Sequence, residues 1–429
     1  MNACIWYVSK YIALPREQKW STRAFSIMRE IRKNGNRCVI LTSDSNHLTS
    51  PRAVDGAQAR EVVDGVEVTR LRTKKYRGSK SISRAISWLD FEWRLWRLPK
   101  DGLPRPDAII VSSLSLLTIF NGLLLRRRYG CRLIFEVRDI WPLTVIEEGG
   151  FSPYNPFVLT LGWIERLAYR RSDAVVGTMP NLAEHVAEVA GSAAPVFCIP
   201  MGVDEGAAAQ AAPMPEDYAR QYLPENKFIV CYAGTIGMAN ALETLFACAR
   251  RMQDNSNVQF LVVGEGGLKE TFQRECADLA NVTFAPGVPK NVVHSVLERC
   301  DLLYFSVRPS KIWKFGQSLN KVTDYMLAGR PVVASYSGYP SMINEAASGS
   351  YVPAGDVAAL RAEIERYAAM PEAERQAIGM AGREWLIANR SYARLGRDYL
   401  DLCLGPDNKG PGQSRSEGSG GTPSIVAIS

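Results

Sequence analysis

The chain has 429 residues, 46% of them apolar, which is too long for one ordinary core and apolar enough to fill two. Its 51 Lys and Arg against 44 Asp and Glu leave a net charge of +7, which points to an anionic partner. The nine Cys include no Cys-x-x-Cys pair and no Cys/His cluster, so a disulfide scaffold or zinc module is disfavoured; the thiols read as reduced and buried in a cytosolic protein.

The N-terminus, MNACIWYVSKYIALPREQ, reads as a strand, since it lacks the basic n-region and cleavage site of a signal peptide. Strands are expected at Ala3–Val8, Arg37–Thr42, Val66–Leu71, Ala108–Val111, Arg132–Val137, Ala174–Gly177 and Val196–Ile199. Helices such as Ser21–Lys33 and Ile164–Arg170 fall between them, the alternation of a parallel doubly wound sheet. The most apolar stretch, Ala108 to Leu125, is interrupted by Ser112, Ser113, Ser115 and Asn121, so it reads as a strand and a helix and not as a membrane span.

Between Arg70 and Arg97 stand Arg70, Arg72, Lys74, Lys75, Arg77, Lys80, Arg84, Arg94 and Arg97, opposed only by Asp90 and Glu92. Within this segment Ile82, Ile86, Leu89, Trp93 and Trp96 recur at helical spacing. Two readings stay open: a basic, Trp-bearing helix lying in an anionic membrane interface, or a core-facing stripe with a solvated basic side. Nucleic acid is not expected as a partner, because no recognised binding module accompanies the charge. Further on, FEVRDIWP places Arg138, Asp139 and Trp141 at the carboxyl end of a buried strand, where open α/β sheets hold ligands.

At Ile199–Asp204 the first half gives way to an Ala/Pro-rich linker, Glu205–Pro215, and the strand pattern restarts at Phe228–Tyr232, Val258–Val263, Val282–Ala285, Leu302–Phe305 and Val332–Ser335. The fold class is therefore α/β, with two tandem Rossmann-like domains, 1–204 and 216–382, facing a central cleft. The Gly/Ser/Pro-rich residues 405–429 read as a disordered tail.

Three loops of the second half carry phosphate-binding features. In YAGTIGMAN, Gly234 and Gly237 permit close backbone approach and Thr235 adds a hydroxyl, although the same residues would serve a plain strand-to-helix turn. VVGEGG (Val262–Gly267) and PGVPK (Pro286–Lys290) are further strand-end glycine turns, equally open to a structural reading. Next, Phe315–Ser318 leads into a helix over about Leu319–Leu327, closed by Gly329, whose exposed N–H groups suit a phosphate. Asn320, Lys321 and Asp324 share one face of that helix, the handle for a nucleotide diphosphate; the plainer reading of Lys321 is a solvated ion pair with Asp324. No Asp-x-Asp occurs, and His47, His185 and His294 lack ligand spacing, so no metal is expected. A Gly-x-Ser-x-Gly element and a Walker A loop are also missing.

NKVTDYMLAGRPVVAS (Asn320–Ser335) resembles the C-terminal signature of the family-4 retaining glycosyltransferases of GT-B architecture, in particular the bacterial O-antigen and capsule subgroup that includes L-fucosamine transferases. Arg138-Asp139-x-Trp141-Pro142 is similar to that subgroup too, and the Pro200-x-Gly-Val-Asp204 turn resembles one that many family-4 enzymes place just before the interdomain linker. The resemblance implies that Asp324 binds the nucleotide ribose and that backbone around Ser318 and Asn320 binds the diphosphate. It sets Gly234, Thr235 and Gly237 against the diphosphate and puts Gly264, Glu265 and Val288 beside the nucleotide. The final helix, about 383–404, would cross back to the first domain, and the bend Trp6–Pro15 would form part of the acceptor side. The sequence departs from the family at Gly316, where a Glu usually contacts the donor sugar. It also has no Lys or Arg between Phe228 and Ala249, where a basic pair is usual. Lys321 is then the first candidate to neutralise the diphosphate, with Lys311 and Lys314 behind it. Arg138, Asp139 and Lys321 would carry catalysis, Asp139 by orienting a sugar hydroxyl, unless it merely caps the next helix.

The implied activity is retaining, metal-independent transfer of a sugar from a nucleotide diphosphate sugar, UDP-linked by expectation, to a lipid-linked saccharide acceptor. It would take place on the inner face of the bacterial plasma membrane, with the enzyme held peripherally in the cytoplasm. A nucleotide-sugar epimerase, or a non-catalytic nucleotide-sugar-binding scaffold, is the alternative that the missing Glu leaves open.

Overall fold

A computed structural model describes residues 2–17, 22–46, 54–76, 82–191, 193–204, 206 and 211–405, and its chain divides into two compact units. The first comprises residues 1–200 and the chain from Tyr392 onward; the second comprises residues 201–391. The division thus falls a few residues before the expected linker, of which residues 205 and 207–210 lie outside the described residues. Residues 406–429, assigned above to a tail, also lie outside them.

In the first unit β1 (Cys4–Val8), β2 (Arg37–Ser43), β3 (Gln58–Val63), β4 (Val66–Leu71), β5 (Ala108–Ser112), β6 (Arg132–Val137), β7 (Ala174–Gly177) and β8 (Val196–Cys198) form one sheet in the order β3-β4-β2-β1-β5-β6-β7-β8. All pairs are parallel except β3 with β4. The central strands are continuous apolar runs because both faces are covered, and every residue of β1 and β5 is buried. In the second unit β9 (Phe228–Ala233), β10 (Val258–Val263), β11 (Val282–Ala285), β12 (Leu302–Ser306), β13 (Val332–Ser335) and β14 (Gly349–Val352) pair in parallel in the order β11-β10-β9-β12-β13-β14.

All twelve strands expected from the sequence form, each end within one residue of expectation. β3 and β14 were not foreseen. β3 is a polar edge strand joined to β4 through Asp64-Gly65, both at positive φ (47° and 78°), a two-residue hairpin turn. β14 is short and starts at Gly349, where a Cβ would stand 1.9 Å from the Val332 carbonyl oxygen. The expected 383–404 helix is corrected to two: Glu372–Arg390 belongs to the second unit and Tyr392–Leu404 to the first. They break at Ser391, which is extended (φ −62°, ψ 142°) and bridges to Val203.

The Tyr392–Leu404 helix packs on the Arg23–Lys33 helix and is tied down by a buried polar network. Glu136, at the end of β6, accepts hydrogen bonds from Arg23 Nη1 (2.5 Å), the Tyr399 hydroxyl (3.0 Å) and the Tyr7 hydroxyl. Arg23 Nε in turn donates to the Pro200 carbonyl at 2.9 Å. Burial pushes the Glu136 pKa up, yet Arg23 and Arg138 more than offset this and leave it lowered.

Candidate active site

In the second unit Gly234, Gly264, Glu265 and Lys321 come together around the carboxyl end of β9. Two glycines set the backbone there: a Cβ on Gly264 (φ +145°) would stand 1.9 Å from the Gly234 carbonyl oxygen, and one on Gly266 would stand 2.1 Å from that of Ile236. The loops after β9 and β10 are therefore in direct backbone contact, with Gly234 N–H donating to Val263 (3.0 Å) and Ile236 N–H to Glu265 (2.9 Å).

The Asn320–Leu327 helix packs its apolar side inward through Val322, Tyr325 and Met326. Its Tyr325 hydroxyl bonds both Ala233 N–H (2.8 Å) and the Ala233 carbonyl (3.0 Å), fixing the helix to the end of β9. One turn earlier, Lys321 runs to the same place. Its Nζ donates to Asn240 Oδ1 and to the Tyr232 hydroxyl (3.3 Å) and lies 4.9 Å from the Tyr232 ring centroid. Burial lowers its pKa from 10.5 to about 8. The ion pair with Asp324 does not form, so the plain reading of Lys321 is corrected: Asn240 and Tyr232 hold the ammonium beside the Gly234 loop. Asn240 is oriented by its own Nδ2–H···O bond to Thr235 (2.8 Å), and the Tyr232 hydroxyl donates to the same carbonyl (2.6 Å).

Asp324 accepts no side-chain hydrogen bond and joins no ion pair among the described residues. Burial raises its pKa, against the pull of Lys290 and His294. Asn320, on the same helix, is exposed, whereas the Ser318 hydroxyl accepts from Met201 N–H at 2.8 Å and is a structural link. The Glu265 carboxylate is exposed and accepts from Lys269 Nζ (2.9 Å) and Gly287 N–H (3.2 Å), which lowers its pKa, Lys269 first. Val288, one residue beyond Gly287, is half-buried, and Thr235 and Gly237 stay accessible at the loop after β9. Gly316 has φ +94°, and the buried Gln317 beside it holds Leu319 N–H with its side-chain carbonyl at 3.0 Å. Lys311 and Lys314 lie in a short 3-10 turn, both exposed.

Sequence reading had not singled out Tyr232, Asn240 or Lys269. The first two sit within the quoted glycine loop, but only the fold brings them to Lys321, more than eighty positions away. Lys269 stands four residues after Glu265, a detectable spacing, and it is spent on the Gly264 (2.9 Å) and Ala285 (3.3 Å) carbonyls that bind strand ends together.

In the first unit Arg138 and Asp139 follow β6, with Ser113 Oγ accepting from both amides (2.9 and 3.3 Å) and donating to the Asp139 carbonyl (3.1 Å). Asp139 remains accessible to solvent; the surrounding protein pushes its pKa up, and Arg138 and Arg84 pull it down. It does not cap the next helix, Leu143–Glu147, whose N-terminus has no side-chain cap. Lys10, after β1, is an addition: it is fully buried, donates to the Ser45 carbonyl (3.0 Å), lies over the Tyr11 ring (5.3 Å), and is lowered by burial to about 7. Close by, burial pushes Glu92 up to about 7 although Thr118, Asn121 and Ser115 all donate to it. The helix carrying Glu92, Ile82–Arg97, turns Trp88, Phe91 and Leu95 to the core, while Ile86 (43%), Leu89 (61%), Trp93 (54%) and Trp96 (54%) are exposed. The core-facing reading of that stripe is therefore corrected. Arg77 and Lys80 lie outside the described residues.

Among the described residues no three His, Cys, Asp or Glu side chains converge as a metal-binding set, and no helix is long and apolar enough to cross a membrane. None of the nine cysteines is in a disulfide, and eight of them are buried.

Residues 21–202 match the glycosyl transferase 4-like domain and residues 227–369 match the glycosyl transferases group 1 family. Among solved structures, sucrose-phosphate synthase from Thermosynechococcus elongatus is similar at 17% identity (TM-score 0.67), covering 94% of this chain and 98% of that one. Anabaena Alr3699/HepE in complex with UDP and glucose is similar at 13% identity (TM-score 0.62; 94% and 99% covered). WaaG, a glycosyltransferase involved in lipopolysaccharide biosynthesis, is similar at 14% identity (TM-score 0.63; 94% and 100% covered). No curated protein matches the sequence significantly.

Proposed function

We propose that this chain, a glycosyltransferase of GT-B fold, transfers a sugar from a UDP-linked donor to a lipid-linked saccharide acceptor in bacterial surface polysaccharide synthesis. The observation that carries the reading is the grouping at the end of β9, an ammonium fixed on Asn240 and Tyr232 with a glycine loop beside it, together with an Asp324 carboxylate on the same helix as Lys321 that has no side-chain partner among the described residues. A diphosphate would take the ammonium and the backbone N–H groups, and a ribose hydroxyl would donate to Asp324.

The proposed chemistry is same-face displacement. The acceptor oxygen bonds to the anomeric carbon as the bond to the diphosphate oxygen breaks, and the acceptor proton passes to that departing oxygen, so configuration is retained. Lys321 stabilises the growing diphosphate charge, Asp139 and Arg138 orient the acceptor hydroxyl, and no metal is needed. The exposed Trp93 and Trp96, with Arg97 over the Trp93 ring at 5.2 Å, support peripheral attachment to an anionic inner membrane face.

The test is calorimetric titration of chelator-treated protein with UDP, GDP and their sugars, followed by product analysis with a lipid-linked acceptor. Selective binding of UDP compounds and a retained linkage in the product are expected. Binding of none of them would remove the donor-site reading, and binding without turnover would leave a non-catalytic scaffold.

A further inference from the structure

Away from both clusters, the first unit has a surface pocket of about 590 Å³ lined by Arg126, Arg127, Arg132 and Arg171 with a single carboxylate, Asp173. It lies where β6 begins, at the amino ends of the strands, and so at the opposite end of the sheet from Arg138 and Asp139. Asp173 is already committed: Oδ1 accepts from Arg126 Nη2 (2.5 Å) and Oδ2 from Leu133 N–H (2.8 Å). Arg126 spends its other arm on the Arg171 carbonyl at 2.7 Å.

Arg127, Arg132 and Arg171 are left without a carboxylate among the described residues. Arg132 Nε is buried and has no hydrogen-bond partner among them. The guanidinium lies close against Gly405, where an added Cβ would stand 2.7 Å from Arg132 Nη1. Like charges gathered around one concavity repel, and a planar guanidinium with free donors matches phosphate oxygens in fork geometry. We propose that this pocket binds a phosphate-bearing anion, a phosphomonoester or diphosphate group supplied by a lipid headgroup or by a free phosphate compound, as a site separate from the donor site.

Inorganic pyrophosphate is titrated calorimetrically into the full chain at constant ionic strength, and vesicles containing phosphatidic acid, whose headgroup is a phosphomonoester, are tested in parallel by co-sedimentation. Wild type is compared with Arg132→Gln and with Arg127→Gln, the latter an exposed rim residue whose loss leaves folding intact. We expect about tenfold or greater weakening in each variant, with affinity for UDP unchanged. Because only the difference between variant and wild type is read, the result does not depend on the nucleotide site. Weakening confined to pyrophosphate supports the pocket with a soluble ligand, and weakening confined to vesicles supports it with a lipid headgroup. Equal binding by all three proteins in both arms overturns it.

Discussion

Glu136 of the first unit and Asp324 of the second are both carboxylates near the carboxyl ends of parallel strands, and the protein treats them in opposite ways. Glu136 is fully buried and receives Arg23, Tyr7 and Tyr399, so its charge is satisfied before any ligand arrives. Asp324 is half-buried, with its pKa raised by burial and no donor to its carboxylate among the described residues. Position at a strand end is thus a poor guide to function by itself. A charge whose partners are all internal holds the fold, and one kept short of partners is available to a ligand.

The strongest way to break this contrast is Glu136→Ala, which strands Arg23 in the core. A loss of about 3–5 kcal/mol is expected in the urea unfolding of the first unit. Because the Glu136 pKa is lowered in the folded chain, its stabilisation is full above the unfolded carboxylate range and is lost as pH falls through its folded value. Wild type should therefore lose stability on acidification more steeply than Glu136→Gln, and equal slopes would show that the network is not load-sharing.

Gly264→Ala comes next, since its methyl would overlap the Gly234 carbonyl. A cost of about 2–4 kcal/mol in the second unit is expected, with nucleotide affinity falling as the two loops part. Thermal unfolding within a degree of wild type would contradict the close approach.

Lys321→Ala should slow turnover about 100-fold with a smaller effect on donor affinity. The Lys321 pKa of about 8 sets the sign of its pH dependence: the charged form is lost as pH rises through that value, so UDP affinity should fall from pH 7 to pH 9. A profile equally steep in Lys321→Ala would assign the titration to another group.

Asp324→Ala should have the smallest structural effect, leaving stability unchanged or slightly raised while weakening UDP binding about tenfold to a hundredfold. Unaltered UDP affinity would end its assignment to the ribose.

Strand placement was largely legible, because the central strands of each sheet are unbroken apolar runs bounded by turns. The two strands that escaped lack that signal: β3 is polar and β14 is four residues beginning with glycine; Asp64-Gly65 is a hairpin-turn dipeptide that the sequence reading passed over. The long C-terminal helical pattern hid its break, since Ser391 is neither Gly nor Pro and takes its extended conformation in a bridge to Val203. Site residues on one helix, Asn320, Lys321 and Asp324, followed from spacing. Their roles did not, because spacing pairs Lys321 with Asp324 whereas the fold offers Lys321 two better partners.

The sequence by itself determined that this is a two-unit α/β chain with glycine turns and a charged helix in its second half, because apolar periodicity and turn chemistry act over a few residues. Only the tertiary structure decided which charges are spent and which are spare. Whether Lys321 meets Asn240, Arg23 meets Glu136 or Arg132 Nε goes without a hydrogen bond among the described residues depends on strands far apart in the chain being laid side by side.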